Sequence, residues 1–251
     1  MSAKKIIVGG CSFTDKNYPK FAKPKPLDFK MWPEHIGSML NKEVINTARC
    51  GYGNQAIYHQ TLKAIMNNRV DHVFVMWTCW IRQDFLINDA DERDYITLDL
   101  GLKHKVNDLR EYRFNHDEWY DNSFNKNWLV VDYNDKDVVL KQPTMKQIID
   151  TNMNYIYSMQ TICEKLNIGY TACQSLKPKI DPFVLIEHPY VEKIKNFMGW
   201  PMLEKIGGWS FDKSLKEKYG HDYIGVSSCD GHPNEKAHKI IAHKIMEYMN
   251  V

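Results

Sequence analysis

The chain has 251 residues, long enough for one large α/β domain with a substantial core. Hydrophobic residues make up 43% and charged residues 25%, and 33 basic against 31 acidic side chains leave a net charge of +2, too weak a field to argue for nucleic acid or an anionic membrane. Only Ile6-Ile7-Val8 separates the basic start from two glycines, no later run reaches the length of a membrane span, and the six cysteines form no CxxC pair. A soluble, cytoplasmic protein with reduced thiols is expected, rather than a disulfide framework or a zinc module.

In chain order, Lys4 to Gly10 is a β-branched run that reads as a buried strand stopped by Gly9-Gly10. Trp32 to Leu40, with Pro33 in its first turn, reads as a short helix. Val44-Ile45-Asn46 is a brief strand leading into the turn Gly51-Tyr52-Gly53-Asn54, from which a helix runs to about Asn67. His72 to Thr78 is a third, fully apolar strand. The pattern lapses between about 83 and 142 into a polar, aromatic insertion, read as a lid or rim, in which Trp128 to Tyr133 and Val138 to Leu140 can pair as a hairpin. Regular structure resumes with a helix from Pro143 to Leu166 and a strand from Ile168 to Cys173, followed by a second candidate rim from Leu176 to Gly208. The last element is a helix from Pro233 to Met249, with Ala237, Ile240, Ile241, Ile245, Tyr248 and Met249 as its apolar stripe and His238 and His243 assigned to its surface.

Apolar strands alternating with helices predict a three-layer α/β/α sandwich around a central parallel sheet, in a single domain over 1–251. Ligands of such sheets bind at the carboxyl ends of the strands. Two chemically capable groups lie at such ends. Ser12, in Gly10-Cys11-Ser12-Phe13-Thr14, directly follows the first strand, and by itself would be a turn or cap residue. A serine becomes a nucleophile only with a base within hydrogen-bond reach. His232, in Asp230-Gly231-His232-Pro233-Asn234, is expected at the start of the last helix, with Pro233 at the first helical position and the helix dipole keeping the imidazole neutral. Asp230 is suited to fix the imidazole tautomer, or to cap the helix.

These blocks resemble those of the SGNH (GDSL-type) hydrolases, particularly the short phage-type members, over nearly the whole chain. In that family the nucleophile follows the first strand in a Gly-Asp-Ser-like motif, here Gly10-Cys11-Ser12 with cysteine in place of aspartate. The block from Asn46 to Asn54 resembles the one that supplies a backbone N–H to the oxyanion, with Gly51 the better match and Gly53 the reserve. The last block usually has two residues between aspartate and histidine, whereas here only Gly231 stands between Asp230 and His232. The family's side-chain oxyanion donor is an asparagine after the third strand. This chain reads Met76-Trp77-Thr78-Cys79-Trp80-Ile81-Arg82 there, which leaves Thr78, or Asn54 from the second block, as the substitute.

The resemblance implies hydrolysis of carboxylic esters, acetylated carbohydrates among them, through an acyl-enzyme built on Ser12, His232 and Asp230, with the Ser12 and Gly51 N–H groups at the oxyanion and no cofactor or metal. The expected partner is a small-molecule or carbohydrate ester, and the oligomeric state is open. Acyl transfer by the same triad, and a non-catalytic carbohydrate- or protein-binding member of the fold, are the alternatives. Arg82 reads either as a site for an anionic substrate group or as a surface ion pair. Cys11, Cys50, Cys79 and Cys229 adjoin the candidate residues and read as packing rather than as a metal or redox cluster. Trp119, Trp128, Trp200 and Trp209 can stack on sugar rings but read first as packing within the insertions.

Overall fold

The run before Gly9 forms β1 (Lys5–Gly9), in which Ile6, Ile7 and Val8 have no exposure. Successive strand residues face opposite sides of a sheet, so complete burial of all three requires cover on both faces. The computed structural model in which this is seen describes residues 5–16, 29–86, 95–99, 143–201, 210–220, 225–227 and 230–250.

After β1 come α1 (Trp32–Leu40), β2 (Val44–Asn46), α2 (Asn54–Asn67) and β3 (Val70–Trp77). Next are β4 (Arg82–Leu86), β5 (Tyr95–Asp99), α3 (Met145–Lys165) and β6 (Gly169–Gln174). The short α4 (Pro182–Ile186), α5 (Phe211–Tyr219), the strands β7 (Gly225–Ser227) and β8 (Asp230–Pro233), and α6 (Glu235–Met249) complete the chain. The central sheet has the order β2-β1-β3-β6, every pair parallel. Helices flank it in pairs: α1 packs with α6, and α2 with α3. The predicted α/β sandwich with a parallel sheet is therefore what the chain forms. Its core includes Trp32, Trp77, Trp80 and Phe74, all essentially unexposed, and burial of each such side chain contributes roughly 1.5–3 kcal/mol.

Local chemistry explains most boundaries. The carboxylate of Glu34 accepts the Met31 N–H at 2.9 Å to open α1, and Asn41 closes it in the left-handed region at φ 50°. Thr144 and Gln147 cap α3 reciprocally, so the helix begins after Pro143 rather than at it. The third strand stops at Trp77, one residue short of the expectation, because the Thr78 N–H is taken by the Asn54 side chain at 2.8 Å. The terminal helix starts later than predicted. Pro233 pairs with Gly225 in the β7–β8 hairpin, and Asn234, a stronger cap, accepts the Ala237 N–H at 3.0 Å. The buried face of α6 is Ala237, His238, Ile241, Ala242, Ile245 and Met246, while Tyr248 is 40% exposed, so the expected stripe is turned by about one residue.

The second candidate rim is instead cover for a sheet edge over its described part, 176–201. Its Leu185, Ile194, Phe197 and Met198 are buried, and Phe197 bridges to Ala172, with the Ala172 N–H on the Asn196 carbonyl and the Met198 N–H on the Ala172 carbonyl, both 2.8 Å. The insertion opens with β4 and β5 as an antiparallel pair, while the predicted 128–140 hairpin, Trp119, Trp128 and Trp209 lie outside the described residues. Among the described residues no helix is long and apolar enough to cross a membrane.

Candidate active site

Leaving β1, the chain closes one tight turn, with the Thr14 and Asp15 N–H groups both donating to the Cys11 carbonyl at 2.9 and 3.0 Å. Ser12 rides on this turn, 6% exposed. Three elements pin it. The Trp32 indole of α1 donates to Thr14 Oγ1 at 3.3 Å, Thr14 Oγ1 lies 3.6 Å from Met76 Sδ of β3, and Asn46 Nδ2 of β2 donates to the Thr14 carbonyl at 2.7 Å. The hydroxyl is thereby held at the carboxyl edge of the sheet.

His232 arrives from the far end of the sequence. Its Nε2 is 2.9 Å from Ser12 Oγ, a hydrogen bond spanning 220 positions, and its ring stands edge-on to Phe13 with centroids 5.7 Å apart. It sits within strand β8 and not at a helix start, because the helix is capped by Asn234 and begins at Glu235. Asp230 opens the same strand, and its side chain lies outside the described residues.

The loop after β2 runs along the end of β1, with the Thr47 N–H on the Val8 carbonyl at 2.9 Å and the Arg49 N–H on the Gly10 carbonyl at 3.4 Å. Gly51 stands at φ 87°, a conformation costly for any residue with a side chain. Around it the N–H groups are committed: that of Cys50 to Asp15 Oδ2 at 2.8 Å, and those of Gly53 and Ala56 to Asp84 Oδ1 and Oδ2 at 2.9 and 2.8 Å. Among the described residues the N–H groups of Ser12 and Gly51 have no acceptor. Gly53, the reserve candidate in the sequence, has its N–H occupied by Asp84.

Solved structures similar to this chain include esterases. Axe2, an acetylxylan esterase from Geobacillus stearothermophilus, is 13% identical at a TM-score of 0.48, with 100% of this chain and 95% of that one covered. The psychrotrophic esterase EstA from Pseudoalteromonas sp. is 8% identical at 0.48 over 99% and 97%. A G-D-S-L family protein from Desulfitobacterium hafniense DCB-2 is 12% identical at 0.48 over 98% and 99%. No family model and no curated protein matches the chain.

The two residues expected from the sequence as side-chain oxyanion donors differ sharply. Asn54, 1% exposed, spends both amide hydrogens inside the protein, on the Thr78 carbonyl at 3.3 Å and on Asn152 Oδ1 at 2.6 Å, while its oxygen accepts from the Thr78 N–H. Asn152 in turn donates to the Trp80 and Ile148 carbonyls, and Gln174 to those of Thr78 and Leu176. This network moors the segment after β3. The Thr78 hydroxyl is buried and has no partner among the described residues. The β1–β3 register pairs Gly9 with Val75, so Ser12 and Thr78 each follow the last paired residues of adjacent strands by three positions.

Arg82 is half-buried and gives Nη1 to the Tyr52 carbonyl at 3.3 Å, so it reaches the Gly51 loop. Of the cysteines, Cys11 and Cys79 are buried and Cys50 is half-buried, no group of His, Cys, Asp and Glu among the described residues is arranged as a metal site, and Cys229 lies outside them. His238 is a correction. It is 1% exposed, accepts the Trp32 N–H at Nδ1 at 3.3 Å, and is pushed down to about 3 by burial and by the proximity of His35 and His232. A neutral imidazole serves there as a buried acceptor that ties α6 to the helix holding the Ser12 turn. His243 is exposed, as expected. Sequence reasoning passed over Asp15 and Asp84, both at least 95% buried. Asp15 had a weak signal in lying three residues after Ser12; Asp84 had none, since its partners are separated from it by a strand and a helix.

Proposed function

We propose that the protein hydrolyses carboxylic esters with Ser12 as nucleophile and His232 as general base. The observation that carries this reading is the 2.9 Å contact between Ser12 Oγ and His232 Nε2 at the carboxyl end of the sheet. As Oγ attacks the carbonyl carbon, Nε2 takes its proton; as the tetrahedral intermediate collapses, Nε2 returns that proton to the departing alcohol oxygen. Water then attacks the acyl-enzyme by the same path, freeing the acid and restoring Ser12. The oxyanion is received by the Ser12 and Gly51 N–H groups, both uncommitted among the described residues, and by the Thr78 hydroxyl, since Asn54 has no amide hydrogen left to give. Asp230 orients the imidazole through its other nitrogen, as its spacing from His232 and the resemblance to SGNH hydrolases suggest.

Treatment of the folded protein with a fluorophosphonate probe, followed by peptide mass spectrometry, tests this directly. Labelling of Ser12 together with turnover of short-chain aryl esters is the expected result. Absence of both would overturn it.

A further inference from the structure

Two buried carboxylates from separate parts of the chain grip the loop that carries Gly51, one on each side. Asp15, 3% exposed, lies on the Ser12 turn and holds the N–H of the residue before Gly51; Asp84, 5% exposed, lies on β4 and holds the N–H two residues after it together with that of Ala56. Arg82 on the same strand fastens the intervening Tyr52 carbonyl. Helix α2 has only Gly53 at its N-cap, without a side-chain cap of its own, so Asp84 supplies from the insertion what a local serine or aspartate ordinarily would. Gly53 is required by this approach, because a Cβ there would lie 2.7 Å from Asp84 Oδ2.

From this geometry we infer that Asp15 and Asp84 are positioning residues for the oxyanion: by drawing the Cys50, Gly53 and Ala56 N–H groups to themselves they hold the loop so that the Gly51 N–H alone faces Ser12. The inference rests on the proposed esterase reading. It also gives the root of the 83–142 insertion a role in the site, since β4 carries both Arg82 and Asp84. A carboxylate receiving two N–H groups in a buried setting sets backbone direction firmly, and transition-state stabilisation depends on donors fixed before charge develops.

The test measures kcat and KM of the full chain on a short-chain aryl ester, together with Tm, for Asp15→Asn, Asp84→Asn and Gly53→Ala. In each, kcat is expected to fall about 10- to 100-fold, less than outright loss of an oxyanion donor, while KM stays within about threefold. Gly53→Ala displaces the Asp84 carboxylate without removing its charge, so it serves where Asp84→Asn does not fold, and the pair combined loses no more than the worse single variant. Ile65→Ala, at the opposite end of α2, is the control: Tm falls and kcat does not. Unchanged kcat in the Asp15 and Asp84 variants of an active protein, or an equal loss in Ile65→Ala, overturns the inference and leaves the esterase reading standing. A wild-type protein without turnover or labelling overturns both.

Discussion

The two ends of the central sheet treat polar groups in opposite ways. At the amino end, Lys5 pairs with Glu43 at 2.7 Å and Lys42 with Asp71 at 3.3 Å, with side chains 30–64% exposed. At the carboxyl end, Ser12, Asp15, Asn54, Thr78, Asp84, Asn152 and Gln174 are all buried, and most are locked into one another or into backbone groups. Water weakens the first set and screens the second far less. Desolvated, directional polar chemistry is concentrated where the strands end, and there a small displacement has chemical consequences.

The largest test of that contrast is Ser12→Ala or His232→Ala, expected to lower kcat by about 10⁴-fold or more with the fold intact by circular dichroism. Next is Thr78→Val, which should cost about 100- to 1000-fold in kcat, with Thr78→Ser close to wild type. Asn54→Ala should act first on stability, lowering it by about 1–3 kcal/mol in chemical denaturation because it strands Thr78 and Asn152 groups in the interior. Equal effects of the Thr78 and Asn54 substitutions on kcat and on stability would erase the distinction drawn between them.

His72, near the amino end, is half-buried, lies 2.9 Å from Thr171 Oγ1, and is pushed down from 6.5 to about 4 by desolvation. The unfolded chain therefore takes up this proton before the folded one does. Stability from the neutral ring is complete above pH 6.5 and declines as pH falls toward 4, by about 3 kcal/mol at most. Urea denaturation between pH 4 and 7 should show a shallower slope for His72→Gln than for wild type. Smallest of all, Lys5→Ala should change stability by less than about 1 kcal/mol, and less still in high salt.

Much of this was legible in order along the chain. The β1 run, the exact span of α1 between Pro33 and Asn41, and the paired suspicion of Ser12 and His232 all rest on local cues: β-branching, caps, and a turn directly after a strand. Misreadings occurred where local cues competed. Pro33 does open a helix, but Pro233 ends a strand because a better cap, Asn234, follows it. His238 read as surface because histidine at a helical position is polar by default, whereas the packing of α6 on α1 brings it to the backbone N–H of Trp32.

What the sequence alone determined is the set of parts: an apolar strand that must be buried on both faces, glycines that free the backbone beside it, a serine directly after that strand and a histidine shortly before the last helix. Tertiary structure decided which parts meet. Periodicity and capping act over a few residues and can be read locally, but the bond between Ser12 and His232 spans 220 positions and that between Asp84 and Gly53 spans 31, distances at which only the packing of the sheet and helices chooses partners. For the same reason Asn54 and Thr78, both candidates in the sequence, part company in the fold: one has its hydrogen bonds filled by the core, and the other keeps a hydroxyl to give.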